Sequence, residues 1–547
     1  MTTSHTYVTT TIPYVNARPH LGFALELVQA DVLARFRRAR GDRVRFQTGT
    51  DDNSLKNVLA AEAAGVPVQE FVDRNAEAFV ALREPLALAV DDVIRTSRDP
   101  RHRAGVERLW RACADAGDLY RRHYEGLYCV GCEQFYTPAE LTGGRCPEHG
   151  VAPQRVAEEN WFFRLSRYAD RLHDLVAGGR LRIEPAERRN EVLGFIAGGL
   201  EDLSVSRSTA RARGWGIPVP GDPGQVVYVW WDALGNYVTA LDYGTGGEDY
   251  GRWWTGAGRR VHLVGKGVVR FHAVYWPAML LSAGQPPPTD IVVHDYLTAG
   301  GRKISKSGGV TADPVALAGE YGTDAVRWWL LREVPRVGDA DFTVDRLVAR
   351  ANDELANGLG NLVNRVVAMV HRYRDGYVPG DGGGDVPGDG CFPGSGSGAR
   401  GGDGDGSEAG SRSGGGAWEG DEEGEGLRAA CRQAPGLVRS ALDDFEFRRA
   451  TAPVWAIVDE ANRYVDRVRP WELARAERDG DPGATARLDA VLAGLVRACR
   501  TLGDQLAPFL PGTAARIAAQ CAAGEGGLPE PRPVFRRITA PEPGPVP

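Results

Sequence analysis

The chain has 547 residues, of which 43% are hydrophobic and 25% are charged. This length exceeds what one hydrophobic core supports and predicts about two to four domains. The formal net charge of −7 argues against a protein that coats nucleic acid by overall attraction, although it permits a local basic face.

Neither a signal peptide nor a membrane-spanning helix is predicted from the sequence. No apolar run reaches the ~20 residues of a membrane-spanning helix, and residues 1–20 lack the basic start and apolar core of a signal peptide. We therefore expect a cytoplasmic protein. In that setting its eight cysteines predict thiols or metal ligands, not a disulfide framework.

The first motif is a strand that turns into a helix. Residues 5–12 are rich in β-formers and stop at Pro13, and apolar side chains then recur with helical spacing over residues 25–36. His20 and Gly22 lie at the turn between them, where backbone N–H groups and the helix dipole favour phosphate. A capping or packed histidine is the more common explanation for one such residue.

A second apolar segment, residues 44–50, ends at Asp51. Ligands of open α/β sheets gather at the carboxyl ends of strands, so this carboxylate is a candidate for holding a cationic group of a substrate. An N-cap for the following helix explains Asp51 equally well.

The cysteines supply the strongest metal signal. Cys129 and Cys132 form a C-x2-C pair, and Cys146 and His149 form a C-x2-H pair after it. Paired spacings of this kind close one tetrahedral zinc site, and four protein ligands leave no open position, so we expect a structural ion. The remaining cysteines show no partner spacing.

Further strands and helices alternate after this insertion. Residues 225–229 and 260–266 predict strands, and residues 271–281 predict a helix. Trp230 and Tyr237 follow the first of these strands and are typical of core, although such a group also suits the wall of an apolar pocket. The alternation predicts a parallel, doubly wound sheet whose two halves are separated by the cysteine-bearing insertion.

One basic loop stands out because the chain uses arginine for nearly every cation. Only four lysines occur among the 65 Lys and Arg residues, and Lys303 and Lys306 lie within one short loop. Lysine supplies a compact, mobile ammonium that suits a phosphate of changing geometry, whereas a solvated basic loop is the simpler alternative.

The remainder of the chain predicts a helix bundle. Amphipathic runs cover residues 346–373, 427–442, 450–468 and 484–506. Residues 375–426 are rich in Gly, Asp, Ser and Glu, and we expect them to be disordered, with Trp418 as their one expected site of apolar contact. Arginines on the bundle usually mark a solvated face, but with Trp471 after Pro470 they also fit a surface for unpaired RNA bases.

Taken together, these motifs resemble those of the methionyl-tRNA synthetases over nearly the whole chain. The likeness rests on their joint order: Pro13-Tyr14, His20-Leu21-Gly22, Thr50-Asp51, the Cys129/Cys132/Cys146/His149 knuckle, Tyr228-Val229-Trp230, Phe271-His272, Lys303-Ile304-Ser305-Lys306-Ser307, Asn361, Arg365 and Trp471. The resemblance implies a class I layout. A Rossmann-type domain occupies residues 1–118 and 216–340, a connective insertion with the zinc knuckle occupies 119–215, and a helical anticodon-binding domain occupies 341–547.

The resemblance also implies a reaction and its residues. ATP, with Mg²⁺, activates methionine as an adenylate, and the acyl group passes to tRNA(Met); we expect a monomer that binds neither DNA nor membrane. Catalytic roles fall to His20, Lys303 and Lys306, and ATP contacts to these with Gly22 and Ser305. The methionine pocket would comprise Pro13, Tyr14, Asp51, Trp230, Ala233, Tyr237, Val268 and His272. Anticodon bases would be read by Asn361, Arg365 and Trp471.

Several positions depart from the family pattern. Phe23 stands where a second histidine or an asparagine is usual, and residues 52–54 read Asp-Asn-Ser where an acid-His-Gly is common. Gly267 replaces an aspartate, and Gly308 replaces a leucine. Two alternatives follow from them: a divergent paralogue for a specialised pathway or inhibitor tolerance, and a non-catalytic tRNA-binding regulatory protein.

Overall fold

A computed structural model describes residues 4–131, 134–148, 150–304, 312–380, 422–524 and 526–539. Two compact units result: residues 1–320 with 335–342, and residues 321–334 with 343–547. In the described part of the chain, no helix is both long and apolar enough to cross a membrane.

The first unit is built on a parallel sheet that contains strands from both halves of the predicted Rossmann-type domain and one strand, Arg182–Glu184, from the predicted insertion. Its six strands, in spatial order, are Asp92–Arg95, Arg43–Thr50, His5–Thr10, Arg259–Gly265, Asp290–His294 and Arg182–Glu184. All five pairings are parallel. The prediction of a parallel α/β sheet is therefore confirmed.

The helices of this unit follow the sheet strands in sequence, as expected for parallel crossovers. They are Leu21–Ala39, Leu55–Ala64, Val68–Val80, Pro100–Asp115, Ala169–Ala177, Ala186–Ala197, Val229–Thr239, Glu248–Tyr250, Trp276–Ser282 and Pro314–Tyr321. Short 3₁₀ turns span Ala81–Arg83, Pro138–Glu140, Leu165–Tyr168 and Lys266–Val268, and π-helical turns span Gly251–Thr255 and Phe271–Tyr275.

Three smaller sheets complete this unit. The insertion contains an antiparallel sheet of Gln134–Tyr136, Leu119–Cys129, Gln154–Phe163 and Leu203–Ser204. In a second antiparallel sheet, Ser206–Ser208 of the insertion pairs with Asp222–Val227, which pairs with Pro218–Val219. The third comprises Arg302–Lys303, Leu297–Ala299 and Ala340–Asp341.

One local expectation needs correction. The segment before Trp230 is a strand, Asp222–Val227, but it belongs to the second antiparallel sheet and not to the central one. Trp230 itself lies on the helix Val229–Thr239, where ten of eleven residues are buried. A continuous apolar run gives no periodicity, so helix and strand are not separable there from sequence.

The second unit is the helix bundle that the periodicity predicted. Its helical segments are Thr323–Arg332, Val344–Arg350, the π-helical Ala351–Gly360, Asn361–Arg374, the 3₁₀ turn Glu422–Gly424, Glu425–Asp443, Phe447–Val468, Pro470–Arg478, Pro482–Leu506 and Pro511–Cys521. The predicted disordered tract, residues 375–426, is described at both of its ends: residues 375–380, and residues 422–426, which form the 3₁₀ turn and the start of the helix at Glu425. Its centre, with Trp418, lies outside the described residues.

Close packing of two helices in the first unit sets the position of the segment that bears Trp230. A Cβ on Gly105 would lie 2.4 Å from the Thr239 Cγ2 atom, so only glycine permits this approach. The Thr239 hydroxyl in turn lies 2.8 Å from the His102 Nδ1 atom. The helix Val229–Thr239 is thus held by shape and by a buried polar contact.

We therefore expect Gly105→Ala to lower the free energy of unfolding by ~1–3 kcal/mol, because the added methyl overpacks this contact. Urea unfolding of the full chain measures the change. Gly194→Ala is the matched control: it lies in the helix Ala186–Ala197 with no atom within 4 Å of the added Cβ. That control gains up to ~1 kcal/mol from helix propensity. Equal stability of the two variants would contradict the packing role.

Candidate active site

A cavity of about 360 Å³ opens where the central strands of the first unit end. Its wall includes residues that directly follow the strands His5–Thr10 and Arg43–Thr50, and the terminal residues Gly265 and His294 of two others. Every predicted methionine-pocket residue borders it, together with both residues of the histidine turn: Pro13, Tyr14, His20, Gly22, Asp51, Trp230, Ala233, Tyr237, Val268 and His272. Residues up to about 260 positions apart in sequence thus meet in one space.

The histidine turn has the geometry of a helix N-cap. The His20 Nδ1 atom accepts a hydrogen bond of 3.1 Å from the Gly22 backbone N–H. In a neutral imidazole this places the proton on Nε2, which makes that atom a donor. A Cβ on Gly22 would lie 3.1 Å from the His20 ring, so glycine lets the ring lie close over the helix start. Capping and ligand binding are therefore compatible at His20.

Phe23 makes the wall beside this turn apolar. Its ring packs edge-to-face with Phe79 at 5.6 Å, and only 8% of its surface is exposed. The polar group that the family usually carries at this position is replaced by an aromatic contact.

The other end of the cavity is aromatic. Tyr14 lies edge-on to Trp230 at 6.3 Å, and Trp230 stacks on Phe271 at 3.7 Å. The hydroxyl of Tyr237 lies 2.8 Å from His272 Nε2. Such a wall selects ligands by shape and weak polar contact.

The protonation of His272 follows from its two neighbours. Its Nδ1 atom donates to the Val268 carbonyl at 2.9 Å, so Nε2 accepts the hydrogen of the Tyr237 hydroxyl. Burial lowers the pKa of His272 to about 4. The imidazole is consequently neutral at pH 7 and presents no positive charge to the cavity.

Asp51 is buried beside this aromatic wall. Its backbone N–H donates to the Pro13 carbonyl at 3.0 Å, and its side chain borders the cavity. The following helix is capped by Ser54, whose side chain accepts from the Lys56 N–H at 3.0 Å. The capping alternative for Asp51 is therefore wrong.

Asn53, one of the residues after Asp51 that depart from the family pattern, contacts the helix Val229–Thr239. The Asn53 amide donates to Asp232 at 2.7 Å, and Asp232 also pairs with His102. Asp52 is buried and accepts hydrogen bonds from Arg95 at 3.1 Å and from Ser97 at 2.7 Å. Burial nevertheless raises the pKa of the Asp52 carboxyl.

Sequence reasoning missed a buried pair in the cavity wall. One Glu26 oxygen accepts from the Thr11 N–H and hydroxyl, both at 2.6 Å, and the other lies 3.0 Å from His294 Nε2. Burial opposes a charge on His294, but the Glu26 carboxylate outweighs burial and raises the pKa of His294. The signal in the sequence was a carboxylate between Leu25 and Leu27 on a buried helix.

Gly267 stands where the family usually has an aspartate, and its neighbour Tyr296 explains the glycine. A Cβ on Gly267 would lie 2.1 Å from the Tyr296 hydroxyl oxygen. Both residues border the cavity. The tyrosine hydroxyl therefore occupies the space that a side chain at position 267 needs.

The lysine loop begins at the mouth of this cavity. Lys303 ends the short strand Arg302–Lys303, and Ile304 is 2% exposed and borders the cavity. Ser305, Lys306 and Gly308 lie outside the described residues, as does the side chain of Lys303.

Two of the four predicted zinc ligands are described, and they lie together. Cys129 and Cys146 are each 1% exposed and share a small buried cluster with Tyr136. The Cys146 sulfur lies 3.6 Å from the Tyr136 hydroxyl. Cys132 and His149 fall outside the described residues. Among the described residues, no group of three or more metal-ligating side chains is found. A pair of adjacent buried thiols fits the donor set of a zinc knuckle.

The predicted anticodon residues lie in the second unit. Asn361 borders a cavity of about 430 Å³ together with Asn357, Asn364, Arg536 and Arg537. Arg365 donates to Asn462 at 3.0 Å and lies 3.6 Å from Asp466, on the helix Phe447–Val468. Trp471, which follows that helix, is 45% exposed.

The pKa of His272 yields a test of this site. Between its ordinary pKa of 6.5 and its folded value of about 4, the unfolded chain binds a proton that the folded chain does not. The contribution of the neutral His272 to the free energy of unfolding is therefore complete above pH 6.5 and declines by ~3 kcal/mol as the pH falls to 4. Urea unfolding at several pH values should show this decline reduced in His272→Gln. His173→Gln, at an exposed histidine, is the control. Identical pH profiles for wild type and His272→Gln would refute the neutral buried imidazole.

Comparison with known proteins places this geometry in a family. The model of the "tRNA synthetases class I (M)" matches residues 6–157 and 138–367. The chain is 38% identical to the methionine–tRNA ligase of Brucella suis over 97% of both chains, and 38% identical to that of Caldanaerobacter subterraneus over 94% of this chain and 73% of the relative. The Mycobacterium tuberculosis methionyl-tRNA synthetase in complex with methionyl-adenylate superposes with a TM-score of 0.85 at 36% identity, covering 98% of this chain and 100% of that one. The chain belongs to the methionyl-tRNA synthetase family.

Proposed function

We propose that the chain activates methionine with ATP and transfers it to tRNA(Met). In the first step a carboxylate oxygen of methionine attacks the α-phosphorus of ATP. The bond between the α-phosphorus and the oxygen that bridges it to the β-phosphate breaks, and pyrophosphate leaves. In the second step a hydroxyl of the tRNA 3′-terminal ribose attacks the acyl carbon, which forms the ester and releases AMP and a proton. ATP enters as its Mg²⁺ complex.

The observation that carries this proposal is the joining of two unlike surfaces in one cavity. The capped turn at His20 and Gly22 presents the His20 imidazole, whose Nε2 is the donor for phosphate, and the Trp230 side supplies an apolar pocket. Asp51 borders the same space. A relative with this fold holds methionyl-adenylate, which contains both an amino acid and a nucleotide.

The amino acid end suits methionine. The buried Asp51 carboxylate would hold the ammonium group, and Tyr14, Trp230 and Tyr237 would surround the thioether with ring edges and faces, a favourable setting for sulfur. Because His272 is neutral and hydrogen-bonded to Tyr237, this end offers polarity without charge. Pro13, Ala233 and Val268 complete the shape.

The nucleotide end depends on charge neutralisation. His20 Nε2 would donate to the α-phosphate, which Gly22 lets approach the turn closely, and Lys303, Ser305 and Lys306 would follow the β- and γ-phosphates as pyrophosphate leaves. No side chain acts as a nucleophile. The catalytic contribution is position and preorganised charge.

Methionine-dependent exchange of pyrophosphate into ATP tests this function. We expect exchange with methionine above that with the other amino acids, and a ~10²- to 10³-fold lower rate in Lys306→Ala, the scale of one lost preorganised contact. Methionine affinity should be largely kept in that variant. Absence of methionine-dependent exchange in the wild-type chain would refute the proposal.

We further propose a structural zinc ion held by Cys129, Cys132, Cys146 and His149 in the connective insertion, residues 119–215. The two described cysteines already lie in one buried cluster. When bound, such an ion would cross-link the two knuckles, and it takes no part in the chemistry.

Metal analysis of the purified chain tests the site. We expect about one zinc ion per chain, and its loss in Cys129→Ser. Cys431→Ser, which replaces a half-buried cysteine of the second unit, is the matched control and should keep the ion. Full metal content in Cys129→Ser would contradict the assignment.

The second unit would bind the anticodon. The exposed Trp471 ring suits stacking on an unpaired base. Arg365 lies beside the helix Phe447–Val468, which precedes Trp471. Asn361 borders a cavity that Arg536 and Arg537 also line.

Trp471→Ala should leave pyrophosphate exchange unchanged but weaken tRNA charging by ~1–3 kcal/mol, the value of one stacked base. Steady-state charging at varied tRNA(Met) measures this. Tyr377→Ala removes another exposed ring of the same unit and serves as control. Equal losses in exchange and charging would point to a folding defect and contradict the role.

A further inference from the structure

Lys56 is a charged residue of the active-site cavity that the reaction described above does not use. It is one of only four lysines in the chain, and it is half-buried on the first turn of the helix Leu55–Ala64. Among the described residues that line the cavity, Lys56 is the one lysine or arginine. A chain that writes nearly every cation as arginine therefore keeps a lysine at its substrate pocket.

The Lys56 ammonium lies at the amino acid end of the cavity. Its Nζ atom is 5.0 Å from the centre of the Tyr14 ring, and the same ring lies edge-on to Trp230 at 6.3 Å. A cation within about 6 Å of a ring centre is attracted by the negative face of the ring. The ammonium is thus placed beside a ring that walls the proposed methionine pocket.

Hydrogen bonds fix the turn that joins Asp51 to Lys56. The Asn57 amide donates to the backbone carbonyls of Asp51 and Asp52, both at 2.9 Å. The Ser54 side chain accepts from the Lys56 N–H at 3.0 Å. One short segment, held by its own side chains, therefore presents a carboxylate and an ammonium to the same cavity.

A free α-amino acid brings two opposite charges into this space. The Asp51 carboxylate, which is 2% exposed, would match the ammonium group of the substrate. The carboxylate of the substrate also needs a positive partner, because a buried charge without one is costly. His272 is neutral, and His294 is paired with the Glu26 carboxylate at 3.0 Å. In the part of the wall that the structure describes, Lys56 is the cation beside Asp51.

We infer that Lys56 binds the carboxylate of methionine, so that Asp51 and Lys56 together recognise the charged end of an α-amino acid. The inference rests on the proposed function. A carboxylate has two oxygens, and Lys56 holds one of them while the other attacks the α-phosphorus of ATP. The oxygen that Lys56 holds becomes the carbonyl oxygen of the adenylate. The ammonium also offsets the repulsion between the substrate carboxylate and the phosphates of ATP.

Pyrophosphate exchange by the full chain, combined with inhibition by methioninol, tests this contact. Methioninol keeps the thioether and the ammonium of methionine but carries a hydroxymethyl group in place of the carboxylate. Lys56→Gln should raise the KM for methionine about tenfold, the scale of one hydrogen bond to a charged group. The same variant should not raise the inhibition constant of methioninol, because this ligand has no carboxylate to lose a contact.

A second neutral variant separates charge from packing. Lys56→Met keeps the length of the apolar stem, and we expect it to behave like Lys56→Gln. Arg103→Gln, at an arginine of the same unit whose side chain is 64% exposed, is the matched control and should leave both constants unchanged. Equilibrium dialysis of methionine and of methioninol gives the same comparison without catalysis, and retained methioninol binding shows that a variant is folded.

The outcomes distinguish a direct contact from a structural role. An equal loss of affinity for methionine and methioninol would show that Lys56 only balances the charge of Asp51, and it would overturn the inference. An unchanged KM for methionine, or a loss confined to ATP, would overturn it as well. A wild-type chain without methionine-dependent exchange would instead refute the proposed function.

Discussion

The parallel pairing of strand His5–Thr10 with strand Arg259–Gly265 is the contact on which the site depends. Val8 lies opposite Val261 in this ladder, so the chain closes a loop of about 250 residues to form it. The ladder brings the turn at His20 and the segment with His272 to the same edge of one sheet. Closing so long a loop is entropically costly, but the cost rises only slowly with loop length, so a long insertion between the two halves is tolerated.

Buried polar networks hold the aromatic side of the cavity in place. Tyr7 donates to the Tyr237 carbonyl at 3.0 Å, and Gln47 donates to Asn236 at 3.1 Å, which ties the helix Val229–Thr239 to the central sheet. His102 and Asn53 both contact Asp232 on the same helix. Inside a protein, satisfied networks of this kind rigidify a site, because an unpaired buried group is expensive.

The departures from the family pattern fall into this physical picture. Phe23 exchanges a polar contact for an aromatic one with Phe79, and Gly267 leaves room for the Tyr296 hydroxyl. Asn53, where a histidine is usual, still donates a hydrogen bond to Asp232. The site has been repacked around its substrate pocket and retains the residues with which it would bind methionine and ATP. This favours an active synthetase over a scaffold that only binds tRNA.

The sequence by itself determined the parallel sheet and the helix bundle, because strand and helix periodicity are local properties that are read directly along the chain. The set of residues that borders the active-site cavity came from the resemblance of the motifs, in their joint order, to a known family. Only the tertiary structure decided that Trp230 lies on a helix, that Ser54 and not Asp51 caps its helix, and that Glu26 pairs with His294. Each of these depends on which distant groups approach a given residue, and such approach sets burial, pKa and hydrogen-bond partners.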